Sequence, residues 1–344
     1  MNISDQVLQK DRALQNVRDI LLKNYCLTKG QFVLLLHDNN SRLSRILTEA
    51  YGSAILQNPH QIIDFDAHSE EAILSQFQII PPRSVFILVQ TVSFRLTKHR
   101  LRADLFRAGH LVIEHSRLGY NQEDQIPHYI ASLHYETPYY VRATNTIEQL
   151  LSQNHSLRIT SPEGQELIVN SAFEKPIKNT GDFHKAEIIS AGFPIGEIFT
   201  EAKELEKMNG TLLVFGFPGK DHLVHFTDQF TVTIENGCLI GHTGPAQFEE
   251  IVRMIRDEEV THTVQVREIG FGLNKNLGFD HRLNEPTAFE RFAGMHFSLG
   301  LKHAMYAKKL GRKVFQKYHI DLFCLVKDVF IGETQVMKDG KYLV

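Results

Sequence analysis

The feature that most constrains this chain is a change of rhythm part-way along it. From Gln31 to about Thr146, short runs rich in Val, Ile and Leu ("QFVLLLHD", "QIIDFD", "SVFILVQT", "HLVIEHSR") alternate with segments of helical periodicity ("SRLSRILTEAYGSAIL", "SEEAILSQFQII", "TKHRLRADLFRAG"). Alternation of this length calls for a parallel sheet covered by helices. After "NTIEQLLSQNHS" hairpin signals take over. Pro162-Glu163-Gly164 separates two alternating strands, Asn236-Gly237 divides "FTVTIENGCLIGHTG", and "VFIGETQVMKDGKYLV" closes the chain. The pattern predicts an α/β protein: a parallel-sheet α/β domain over residues 1–150, then a mixed, strand-rich α+β domain over 151–344. Helices are expected at Pro245–Glu259 and Thr287–Leu310. A length of 344 residues agrees with two cores.

Several function classes are excluded early. A formal net charge of −3 and no basic, aromatic-interleaved patch give no footing for nucleic acid or an anionic membrane. No G-x-G-x-x-G or G-x-x-x-x-G-K-[ST] follows the first strand, so a nucleotide site lacks its usual signature. The longest apolar runs, "FVLLL" and "VFILV", are strand-length, and the first 25 residues read as an amphipathic helix and not as a signal peptide. Cys26, Cys238 and Cys324 are scattered with no C-x-x-C, which argues against a disulfide framework or thiolate zinc and fits a cytoplasmic protein.

Chemistry enters through polar residues in the wrong places. In "FQKYHIDLFCLV", His319 and Asp321 interrupt an apolar strand and, being two apart, leave it on one face. In "HTVQVREIGFGLN", Glu268 continues the face of Val264 and Val266, where an unpaired carboxylate should be expelled. Glu197 follows a Pro-Ile-Gly turn; a turn carboxylate beside a helix start explains it as well as chemistry does. His296 and His303 lie seven apart, about two turns on the expected helix, too far for one ion to accept both. Thr287-x-x-Glu290 reads as a capping box, a role that needs no chemistry. Carboxylate and imidazole without thiolate suit Zn, Mn, Fe or Co.

"FPIGEIFT", "EIGFGLN", "GMHFSLG" and "HID", in that order, resemble the thermophilic metallopeptidase family (aminopeptidases T and S), whose superfamily includes the 2,5-dihydroxypyridine dioxygenases. The likeness covers roughly residues 180–344. It implies metal-site roles for Glu197, Glu268, His296, His319 and Asp321. The peptidases carry a further glutamate where Arg291 stands here, with Glu290 displaced by one, and a tyrosine where this chain has His303. In the dioxygenase pattern Glu268, His319 and Asp321 match the iron ligands, and His303 could join them. The resemblance thus implies a cytoplasmic, homo-oligomeric metalloenzyme acting on a short peptide or small molecule. As a hydrolase, placed first, it would use Zn, Co or Mn, with Glu197 as base. As an Fe(II) dioxygenase it would need a base such as His184, His110 or His115. A ligand-binding homologue without catalysis is the third alternative.

Overall fold

The computed structural model describes residues 3–98, 100–183, 190–258, 262–303, 306 and 317–344. The chain forms two compact units, each built from separated segments. Unit 1 is Met1–Thr137, Gly181–Ile195 and Phe279–Ala288; unit 2 is Pro138–Thr180, Gly196–Gly278 and Phe289–Val344. Nothing in the strand–helix texture of the sequence marks this interleaving.

Unit 1 carries the expected parallel sheet. Strands β1 (Val33–His37), β2 (His60–Asp64), β3 (Val85–Val89) and β4 (Leu111–His115) are joined by a late strand, β8 (Ser190–Gly192), in the order β2-β1-β3-β4-β8. Every pairing is parallel. β1 and β3 are buried at all positions, as uninterrupted apolar strands in a covered sheet should be. Helices α1 (Ile3–Asp19), α2 (Arg42–Ala54), α3 (Glu70–Gln78), α4 (Leu101–Arg107) and α5 (Ile126–Ser132) complete the unit. Ser41 caps α2 in a reciprocal pair with Ser44, and Ser69 caps α3 through the Ala72 amide. Leu34, Leu36, Phe86 and Leu88 of the sheet pack with Ile73, Leu101 and Leu105 of the helices.

The strand order reverses between β1 and β3, the crevice where parallel sheets usually bind ligands. Here Asp38 fills it, accepting from the Thr91 amide at 2.7 Å and from the Thr91 hydroxyl, which also meets Ser41 and Ser44. A buried carboxylate at this position repels phosphate. The crevice is a structural joint.

Unit 2 is dominated by one antiparallel sheet. Its strands are β5 (Leu157–Thr160), β6 (Glu166–Val169), β7 (Ile177–Asn179), β9 (Glu197–Glu201), β10 (Met208–Pro218), β11 (Val224–Glu235), β12 (Cys238–His242), β13 (Val266–Gly272), β14 (Gly294–Gly300), β15 (His319–Cys324), β16 (Asp328–Ile331), β17 (Thr334–Lys338) and β18 (Lys341–Tyr342). The main path runs β18-β17-β16-β5-β6-β10-β15-β14-β13-β9-β7, with β11 on β10 and β12 on β11. Most of α6 (Thr137–Gln153) and all of α7 (Ala246–Glu258) belong to this unit. The expected boundary at residue 150 falls inside α6. The three hairpins marked by turn residues all form.

Two local expectations are overturned. The helix expected over Thr287–Leu310 fails in its described part: α8 spans only Pro286–Phe289, and Gly294–Gly300 is strand β14, paired with β13 and β15, while residues 304, 305 and 307–310 of that range lie outside the described residues. Glycines at both ends weaken a helix, while Met295, Phe297 and Leu299 alternate with His296 and Ser298 at strand period. The Thr287–Glu290 capping box also fails. Glu285 is the cap, its carboxylate accepting from the Ala288 amide at 2.6 Å and the Thr287 hydroxyl at 2.7 Å. Glu290 is left for other work.

Candidate metal centre

The register of four neighbouring strands gathers the costly residues. Across β9 and β13, Glu201 faces Glu268, Phe199 faces Gly270 and Glu197 faces Gly272. Across β13 and β14, Gly270 faces His296. Across β14 and β15, His296 faces Phe323, Ser298 faces Asp321 and Gly300 faces His319. Directly paired residues share a sheet face. One face of unit 2 therefore presents Glu197, Glu201, Glu268, His296, His319 and Asp321.

Two glycines make the arrangement fit. A Cβ on Gly270 would lie 2.0 Å from His296 Cε1, so the imidazole lies across β13 where any side chain would stop it. Its Nε2 thereby comes 3.3 Å from Glu268 Oε1 and 3.4 Å from Glu197 Oε1. A Cβ on Gly272 would lie 2.1 Å from the Phe292 carbonyl oxygen and 2.7 Å from that of Glu290. Residues 290–292 press against β13 at this point, and the Asn274 amide donates to the Arg291 carbonyl at 2.8 Å. Glu290 and Arg291 are thus delivered to the same face. Arg291 Nη1 pairs with Glu197 Oε2 at 2.9 Å and with Glu290 Oε1. Phe323, ringed by Phe289 and Phe292, walls the face with apolar surface.

The electrostatics describe a site short of positive charge. Glu197, Glu268, His296 and Asp321 are at most 5 % exposed. Burial raises the Glu197 carboxyl above its usual range against the pull of Arg291 and His296, and it raises Glu290 well above. Burial opposes a charge on His296, yet the Glu268 hydrogen bond and the Glu197 and Asp321 charges push its pKa up to about 9. Burial likewise opposes His319, and Asp321, 3.1 Å away, pushes it up to about 10. The His319 charge in turn holds Asp321 low despite burial. Glu197 Oε1 and Asp321 Oδ1 have an imidazole nitrogen at 3.4 and 3.1 Å but no well-aligned hydrogen bond, and His296 Nδ1 has no hydrogen-bond partner among the described residues. Unmatched buried oxygens beside imidazoles fit a divalent cation. Three sets have donor atoms within 4.8 Å of one another: Glu268–His319–Asp321, Glu197–Glu268–His296 and Glu290–His296–Asp321.

All five residues that the family resemblance implied for a metal site meet on this face. His303 lies on the loop after β14 and belongs to none of the three sets; its ring packs edge-on against Phe199 and Tyr306, and its amide donates to Glu201 Oε1 at 2.9 Å. His184 lies outside the described residues. His110 and His115 belong to unit 1. His115 is unsuited to act as a base: burial pushes its pKa down to about 3, and both ring nitrogens are engaged by Tyr51 and Tyr129. Sequence reading missed Glu201, which is fully buried with Lys302 Nζ at 3.4 Å. Its signal was available, because Glu197 and Glu201 are four apart and share a strand face.

No protein-family profile and no curated protein matches this sequence. Solved structures do. A 2,5-dihydroxypyridine dioxygenase from Pseudomonas putida aligns over 98% of this chain and 97% of its own, with a TM-score of 0.61 at 15% identity. AmpT from Thermus thermophilus aligns over 97% of this chain and 100% of its own, with a TM-score of 0.60 at 13% identity. These likenesses show a shared fold. Among the described residues no helix is long and apolar enough to cross a membrane.

Proposed function

We propose that the chain is a divalent-metal enzyme acting on a small molecule, with one ion held by Glu268, His319 and Asp321. Its reaction is dioxygenation of a hydroxylated ring in preference to two-ion peptide hydrolysis. A metal-dependent enzyme accords with both structural neighbours. The observation that carries the choice between reactions is Arg291, whose guanidinium is paired with Glu197 and Glu290. Those acids would be needed to seat a second ion, and a cation already occupies them. Glu268, His319 and Asp321 would hold the ion, and Fe(II) held there would supply the activation of dioxygen toward a hydroxylated ring.

The chain's own residues supply the rest. His303 stands over the Phe199 side of the face, and burial lowers its pKa, so it is neutral near pH 7 and able to take a proton from a ring hydroxyl. Glu201 fixes its position through the backbone amide. The Phe289, Phe292 and Phe323 rings keep one flank dry.

The test is protein loaded anaerobically with Fe(II), then given oxygen and a panel of hydroxylated pyridines and phenols. Substrate-dependent oxygen uptake, with no release of product from amino-acid amides by the Zn, Co or Mn forms, is the expected result. Amide hydrolysis without oxygen uptake would return the site to the hydrolase reading. Metal binding with neither activity across both panels would favour a ligand-binding role.

A further inference from the structure

The three donor sets are not equivalent with respect to Arg291. Two of them, Glu197–Glu268–His296 and Glu290–His296–Asp321, meet at His296, and each includes one of the two carboxylates that Arg291 pairs with. The third, Glu268–His319–Asp321, includes neither. The guanidinium therefore engages both His296-centred positions and leaves the third untouched. It is also held in place: its side chain is 12% exposed, and its backbone is pinned by the Asn274 amide and by the close approach of residues 290–292 to Gly272.

We infer that Arg291 is a built-in counter-ion that sets the number of metal ions, and that neutralising it opens a second divalent-cation position around His296. The inference rests on the metal reading above and goes beyond it by naming what limits the count. Four carboxylates, Glu197, Glu268, Glu290 and Asp321, crowd one buried face. One divalent ion on Glu268, His319 and Asp321 together with the Arg291 charge nearly balances them. Without Arg291, Glu197 with Glu268 and His296, and Glu290 with His296 and Asp321, are freed of the guanidinium, and either set, sharing one carboxylate with the first, takes a second ion of the same class. A guanidinium has no lone pair and cannot itself ligate, so it can only compete with an ion for this place. His296 in the wild-type protein then donates from Nε2 toward the Glu268 and Glu197 carboxylates and binds no metal.

The experiment counts ions. Wild-type protein and the variants Arg291→Gln, Arg291→Met and Arg291→Lys are loaded with Mn²⁺, desalted and analysed for metal per chain. Electron paramagnetic resonance then distinguishes isolated Mn²⁺ from an exchange-coupled pair. Circular dichroism establishes that each variant is folded. The expected counts are one ion for wild type and Arg291→Lys, and two, with a coupled signal, for Arg291→Gln and Arg291→Met. Two ions in wild type overturn the inference with no variant needed, as does a single ion in both folded neutral variants. No ion in wild type at saturating Mn²⁺ or Zn²⁺ overturns the metal reading itself, a different failure from the other two.

Discussion

Two buried histidines, one in each unit, show how the same side chain at the same depth serves opposite ends. His115 in unit 1 and His296 in unit 2 are both fully buried. Around His115 the hydrogen bonds close on themselves. Tyr129 donates its hydroxyl hydrogen to the Phe193 carbonyl at 3.1 Å, so it accepts from His115 Nδ1–H at 3.0 Å. Nε2 then has no hydrogen and accepts from Tyr51 at 2.8 Å. The ring is neutral and its pKa falls to about 3 because burial meets no opposing charge. Around His296 the ledger stays open: Nδ1 is unpartnered among the described residues, carboxylates crowd Nε2, and the pKa rises to about 9. Burial alone does not mark a functional histidine. Unmatched acceptors around it do.

The sharpest way to break this comparison is to remove the ligands. His319→Ala and Asp321→Ala should each weaken metal binding by more than the roughly 10- to 100-fold typical of outer residues. Both should stay folded, and equilibrium dialysis with elemental analysis reads the result. Wild-type metal content in either would show that the open site of unit 2 is no more a cation site than the closed one of unit 1.

Gly270→Ala tests whether His296 must lie across β13. The added methyl would displace the imidazole, destabilising the protein by about 1–3 kcal/mol and changing metal affinity. His296 would act through Glu268, which its Nε2 contacts at 3.3 Å, and unchanged affinity in a folded variant would show that this contact does not orient the ligand carboxylate. In unit 1, Tyr129→Phe should cost a similar amount of stability without affecting the metal. It strands the His115 Nδ1–H, costing about 1–3 kcal/mol at most, and leaves metal content untouched, as urea unfolding and metal analysis would establish.

The smallest effect is in pH. His296 and His319 have folded pKa values of about 9 and 10, above the ordinary 6.5. Their contribution to stability is fully present below pH 6.5 and is lost as pH rises through 9 to 10. The raised carboxyls of Glu197 and Glu290 act in the same direction. Metal-free protein should therefore melt at progressively lower temperature from pH 6.5 to 10. Bound metal, which needs deprotonated imidazole at His319, should flatten that slope. A metal-free melting point that climbs over this range would contradict the charge shortage of unit 2.

Sequence reading singled out His319, Asp321 and Glu268 because a charge in an apolar strand has few innocent explanations, and the fold brings the three together. It misplaced Glu290 because Thr287-x-x-Glu290 satisfies the local pattern of a cap, and only tertiary structure reveals that Glu285 holds that position. It read β14 as helix because apolar residues on either side of Gly294 fit both periods, and the choice is made by the strands that flank it. The parallel sheet was legible in four of its strands. The fifth, β8, comes from residues 190–192, a distant segment of three residues that no local pattern identifies.

That late strand has a consequence for synthesis. A ribosome that has translated through Thr137 has made β1 to β4 but neither β8 nor Glu285, the buried partner of Arg117 at 2.6 Å. At roughly 5–20 residues per second, β8 is complete within roughly the next 3–11 s and Glu285 is added within roughly 7–30 s. Until β8 is made the nascent sheet has an open edge at β4, and most of unit 2 is synthesised before Glu285 can complete unit 1. The two units are bound to mature together, and a gene cut between them would yield an N-terminal fragment that seeks chaperones before it finds its fold.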